Sequence, residues 1–196
     1  MKLKDSCFML SLMFLLPVVA HATTWTIDAD HSSVGFKVKH LMVSNVKGTF
    51  QSFGGVIETD DKDSTKTRVT VTINVTSIDT NQSRRDDHLR SADFFDVEKF
   101  PLMTFVSKKI IKTGKTYTVV GDLSLHGVTK EVSLIANEPS IESKDPWGNT
   151  HRGISATTKI SRKEFGMVWN KILETGGVLV GDEIDILLEI EGIKAK

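Results

Sequence analysis

The sequence predicts an all-β fold: an antiparallel barrel of about eight strands with one short helical excursion. Three observations carry this expectation. Apolar and polar residues alternate with a period of two along most of the chain, the spacing of half-buried strands. Val, Ile and Thr, which favour a pleated surface over a helix, make up nearly a third of the residues beyond position 22. No connection has the length and amphipathic period of a parallel-crossover helix. Closure into a barrel removes exposed strand edges, although a two-sheet sandwich satisfies the same alternation.

The elements follow in order. Trp25-Thr26-Ile27 begins a short strand. In residues 32–40, Val34, Phe36 and Val38 point one way while Lys37 and Lys39 point toward solvent. Val46–Phe50 resumes the alternation, and Gly54-Gly55 offers a bulge or bend before Val56 and Ile57. In the clearest strand, 68–76, Val69, Val71, Ile73 and Val75 oppose a polar face. Residues 81–92 break the period and read as a short surface helix that Thr80 is placed to cap. Strands return at 102–111 and 116–125 across Thr113-Gly114-Lys115, and Tyr117, Val119, Gly121, Leu123 and Leu125 share one face. His126-Gly127 forms a turn into a strand over 131–136. After a loop at 137–151, residues 152–161 and 183–191 complete the set, the last with Ile184, Ile186, Leu188 and Ile190 on one side.

The N-terminus has a separate purpose. Lys2 and Lys4 precede an apolar run from Cys7 to Val19, and Ala20-His21-Ala22 supplies small residues where a signal peptidase cuts. Residues 1–22 therefore read as a secretory signal, and residues 23–196 as one domain. The apolar run is too short for a transmembrane helix, which needs about 20 residues. The full chain has 25 basic and 25 acidic residues, and cleavage removes Lys2, Lys4 and Asp5, leaving a formal charge of −1. That balance gives no electrostatic case for nucleic acid. Cys7, the only cysteine, leaves with the signal, so the mature chain has no disulfide, thiolate nucleophile or thiolate metal site.

Catalytic and metal motifs are sparse. His31, His40, His88, His126 and His151 show no HxH or HExxH spacing, so no metal is expected. No Gly-x-Ser-x-Gly elbow marks a nucleophile, and the glycine pairs lack a phosphate-cradle context. His88 with Asp86 or Asp87 is the tightest imidazole–carboxylate group, which leaves a His/Asp hydrolase as a minor alternative. His31 and His40 bracket a strand, either as its hydrogen-bonded ends or as contacts at a ligand mouth. Eight phenylalanines remain after cleavage, four of them (Phe94, Phe95, Phe100 and Phe105) just after the charged segment 84–90. In a barrel they suit either ordinary core packing or an apolar cavity with a polar rim. A secreted sandwich that binds a protein partner without lipid is the remaining alternative.

The ordered blocks Trp25-x-Ile27-Asp28-x-x-His31-Ser32-x-Val34-x-Phe36-x-Val38-x-His40, Val46-x-Gly48-x-Phe50 and Ser77-Ile78-Asp79-Thr80 lead into a longer set. That set runs through Asp87-x-Leu89-x-Ser91-x-Asp93-Phe94-Phe95-Asp96, Phe100-Pro101, Gly121-x-Leu123-x-Leu125-x-Gly127-Val128-Thr129, Arg162-x-x-Phe165-Gly166 and Val180-Gly181-Asp182. Over about residues 25–191 the chain resembles the YceI-like family of secreted lipid-binding proteins. The resemblance implies an extended, lipocalin-like barrel in a periplasmic or otherwise exported setting, with a pore for a polyisoprenoid, a quinone, a polyprenyl phosphate or a fatty amphiphile. It implies binding without catalysis, cofactor or metal. Phe94, Phe95, Phe100 and Phe105 become candidates for the pore wall or its packing support. His31, His40 and the Asp87/Leu89 segment become candidates near a headgroup, and Arg162 and Phe165 candidates for shaping the mouth. An arginine–aspartate structural contact is the other reading of Arg162.

Mass analysis of the exported protein should give an N-terminus at Thr23. A membrane-integrated chain that retains Lys2 contradicts the signal assignment.

Overall fold

The computed structural model describes residues 22–174 and 176–196, so the signal sequence expected over 1–22 lies outside the described residues apart from Ala22. The strands are β1 (Ala22–Ile27), β2 (Ser33–His40), β3 (Ser44–Phe50), β4 (Phe53–Asp60), β5 (Arg68–Asn74) and β6 (Ile78–Asp79). They continue with β7 (Leu102–Thr113), β8 (Thr116–Leu125), β9 (Val128–Asn137), β10 (Ser143–Lys144), β11 (Thr150–Ser161) and β12 (Val180–Lys194). One α-helix, α1 (Ser83–Arg90), interrupts them.

These strands form an eight-stave antiparallel barrel in chain order. A 3-10 turn at Ala29–His31 kinks β1 into β2, and both lie along the same side of β12. Opposite them, β4 pairs with β1 and β3 with β2. The pair β5 and β6 follows the same bent line, and single strands β7, β8, β9, β11 and β12 complete the ring. The ring closes because β12 pairs with β11 on one side and with β1 and β2 on the other. The two-sheet sandwich allowed by the alternation is therefore not formed. The β9–β11 seam is narrow, with only Ala136↔Ala156 and Thr157↔Ile135 in register.

Two local expectations are corrected. The helix cap is Gln82, whose side chain accepts from the Arg85 amide at 2.7 Å. Thr80 is instead buried and donates its amide and hydroxyl to Asp86. The bend expected at Gly54-Gly55 falls at residues 51–52, between β3 and β4. Gly55 serves close strand approach, because a Cβ there would run into the backbone of Thr70.

One end of the barrel is packed shut. Phe50, Val75, Ile78, Met103, Leu125, Phe165 and Met167 form a buried cluster there, beneath α1 and residues 92–101. Arg162, 2% exposed, locks this end. Its guanidinium donates to the carbonyls of Gly181, Met167 and Trp169 and to Asp182 Oδ1 at 3.1 Å. These bonds tie residues 162–169 to the start of β12. Burial lowers the guanidinium pKa and Asp182 opposes that shift.

Arg162→Ala should destabilise the barrel by about 3–5 kcal/mol, because the carbonyls of Gly181, Met167 and Trp169 together lose their donors inside the structure. Urea unfolding of the variant checks this, and a loss under 1 kcal/mol contradicts the clasp.

Candidate functional site

Alternation around a closed ring places one face of every stave inward. Val69, Val71 and Ile73 from β5 face Val119, Leu123 and Leu125 from β8 and Ile184, Ile186, Leu188 and Ile190 from β12. These side chains do not fill the bore. A cavity of about 970 Å³ runs inside the barrel, at the upper end of the roughly 300–1,000 Å³ range of small-molecule sites. Many of its inward aliphatic residues, Leu188 and Ile190 among them, are only half-buried because the space beside them is empty.

Two glycines help to keep it open. A Cβ on Gly121 would collide with the Phe105 ring, and a Cβ on Gly48 with the Phe36 ring. Each aromatic side chain therefore lies against a bare stretch of wall, a glycine–aromatic arrangement that covers the backbone.

The two ends of the cavity differ. At the packed end it is lined by Leu89, Phe94, Phe95 and Met167, beneath the helix and the 162–169 segment. At the other end the lining is polar and largely exposed, with Asp61, Lys62, Glu138, Ile141 and Glu142 around the rim. Tyr117, 8% exposed, stands just inside this rim. Its register partner across the β7–β8 hairpin is Lys112, whose ammonium lies 5.2 Å from the centre of the ring. Lys112 and the Ser64 hydroxyl beside the phenol hold its pKa below the ordinary 10.0, although burial works the other way. Trp25 also lines the bore and donates its indole N–H to Thr59 at 3.2 Å.

The residues expected at the site separate accordingly. Phe94, Phe95, Phe105, Leu89 and Arg162 line the cavity. Phe100 does not, and packs instead on the His126 ring and over Gly127. Phe165 is buried in the packed cluster and accepts from His126 through its carbonyl. His31 and His40 are not at the rim: His31 pairs with Asp28 on the outer wall at 2.8 Å, and His40 ends β2 at the packed end. Asp87 is exposed and pairs with Arg90. His88 bonds Asp93 rather than Asp86 or Asp87, and its ring packs between Phe94 and Trp169. Among the described residues, the imidazole–carboxylate pairs thus lie outside the lining of the cavity. Sequence reasoning missed Lys112, Trp25 and the rim segments 60–64 and 138–142. A tight hairpin at Thr113-Gly114-Lys115 pairs Lys112 with Tyr117, so that pair had a readable signal.

A second cluster braces the rim from outside. His151 places Nδ1 2.7 Å from Glu191 and Nε2 3.1 Å from Asp145. A carboxylate only accepts, so both bonds need a doubly protonated ring. These bonds, led by the one to Asp145, raise the His151 pKa above 6.5. Burial alone would raise the Asp145 carboxyl, but donors from Asn149, His151 and the Asn149 and Trp147 amides outweigh it and bring it to about 2. Asp28 reaches the same group, and its oxygen lies within 4.8 Å of the ligating atoms of His151 and Glu191. Each of these groups already has a partner that accounts for it. The cluster fastens the 145–149 turn to β11 and β12, next to the segment 138–142 that crosses the rim.

Comparison with known proteins places this architecture. The YceI-like domain profile matches residues 25–192. A UPF0312 protein of Photorhabdus laumondii is 41% identical over 179 residues, covering 90% of each chain. Protein YceI of Escherichia coli O157:H7 is 39% identical over 179 residues, with the same coverage. Among solved structures, a Campylobacter jejuni YCEI protein is 34% identical with a TM-score of 0.67, covering 86% of this chain and 96% of that one. A Saccharophagus degradans domain described as polyisoprenoid-binding and implicated in plant cell wall breakdown shares the fold. Its TM-score is 0.63 at 12% identity, covering 87% of this chain and 98% of that one.

The His151 brace should be pH-sensitive. Its stabilising effect is full below pH 6.5 and fades as pH rises through the raised histidine pKa. That of Asp145 is present above 3.8 and fades as pH falls toward about 2. Exchange at the Trp147 and Asn149 amides, corrected for intrinsic rate, should be slowest between about pH 4 and 6.5 and should quicken above that range. In His151→Gln the alkaline rise should disappear, and an unchanged profile contradicts the brace.

Proposed function

The chain belongs to the YceI-like family, and on that premise we propose that it binds the apolar chain of an isoprenoid or related amphiphilic lipid inside the barrel without converting it. The observation that carries this reading is the apolar cavity inside the barrel, closed at one end by packed side chains and rimmed at the other by polar ones. A long hydrocarbon gains about 0.8 kcal/mol for each methylene taken out of water, before ordering costs. A polar head remains at the rim, so binding requires no metal or nucleophile. The polyisoprenoid-binding description of the Saccharophagus domain supports an isoprenoid chain, and quinones and fatty amphiphiles offer the bore a long apolar chain of the same kind. The N-terminal signal supports action in the periplasm after residues 1–22 are removed. Sequestration and transport both follow from reversible binding at this site.

Native mass spectrometry of gently purified mature protein should show a stoichiometric isoprenoid or acyl lipid, identifiable after extraction. Val132→Trp, which places a large ring into the bore from a lining position, should give a folded protein that retains little or none. Repeated recovery of lipid-free wild-type protein that also fails to bind a broad amphiphile panel contradicts this function.

A further inference from the structure

We propose that the rim selects an anionic head, a carboxylate or a phosphate, held by the ammonium of Lys112 and the hydroxyl of Tyr117. The inference rests on the carrier reading and deepens it. Lys112 and Tyr117 are direct cross-strand partners, and both line the cavity where its apolar wall meets the rim. Among the described residues, no carboxylate lies within ion-pair distance of Lys112, unlike Lys99, Lys108 and Lys159 on the outer surface. Its ammonium stands over the Tyr117 ring, and Ser64 adds a second hydroxyl from the 60–67 turn. An ammonium and two hydroxyls at the neck of an apolar bore form a donor set suited to an acceptor-rich head.

The acids around the rim are mostly engaged elsewhere. Asp60 Oδ1 accepts the amides of Lys62 and Asp63, Asp61 accepts the Thr23 hydroxyl, and Glu142 faces Lys194 at 3.6 Å. Glu138 is the remaining lining acid, and its charge acts on Lys112 and Tyr117 from a distance. Lys62 and Arg152 add positive charge around the same opening. A chain inserted apolar end first comes to rest with its head beside Lys112, whereas an ammonium head would meet that lysine as a like charge.

Binding of palmitate, hexadecyl phosphate, hexadecanol and hexadecylamine isolates the head, because the chains match. Either anion should bind about tenfold more tightly than the alcohol, the effect of one hydrogen bond to a charged group, and the amine should bind weakest. Lys112→Met should remove about tenfold from both anions and leave the alcohol unchanged, while Tyr117→Phe should weaken the anions severalfold. Lys47→Met, on the outer surface away from the cavity lining, should change none of the four. Circular dichroism confirms that each variant is folded. Equal binding of all four heads, or anion binding indifferent to Lys112→Met, overturns the headgroup proposal alone. Failure of all four to bind wild-type protein overturns the carrier reading with it.

Discussion

An inward face whose side chains do not meet across the bore is the constraint on which the rest of this structure depends. Protein interiors ordinarily pack to crystalline density, and an eight-stranded ring is narrow enough for side chains to fill it. Here the inner face is mostly Val, Ile and Leu, whose branches end short of the axis, and the largest rings are drawn aside. Phe105 lies over Gly121 and Phe36 over Gly48, so aromatic area is buried against the wall rather than across the bore. The cavity therefore forgoes dispersion contacts that a filled core would have, and a hydrocarbon chain is the kind of molecule that restores them.

Stability must then come from elsewhere, and it is distributed unevenly along the barrel. The ring is closed by the long β12, which joins the last strands to the first. One end is packed around Phe165 and clasped by Arg162, whose donors meet backbone carbonyls that would otherwise lack partners. Among the described residues, the opposite end has no comparable plug. Turns and the 138–142 segment border it, and the His151 pairs fasten the neighbouring turn to the outer wall. This asymmetry leaves one end suited to hold a chain terminus and the other to face solvent with a head.

Much of the barrel was legible because a period of two records whether a residue faces in or out. The face shared by Tyr117, Val119, Leu123 and Leu125, and that of Ile184 through Ile190, line the cavity as their alternation implies. Period carries no information about height along the barrel axis, so the end at which polar residues gather was not readable from it. His31 and His40 bracket a strand, yet one bonds Asp28 on the outer wall and the other ends β2 at the packed end. Density and the family resemblance both group Phe100 with its neighbours, yet its ring is taken up by His126 and Gly127, more than twenty positions away. The bond from Arg162 to Gly181 spans the loop between β11 and β12, whose register sets Ser161 against Glu183, and no local period encodes that register.

The position of a bound chain inside the barrel is the most direct test of the carrier function. A crystal structure of the mature protein with a long-chain amphiphile measures this. It should show one continuous ligand within the bore, its tail near Leu89 and Phe94 and its head beside Lys112 and Tyr117. Side chains collapsed into the bore, or a ligand lodged only on the outer surface, would contradict it.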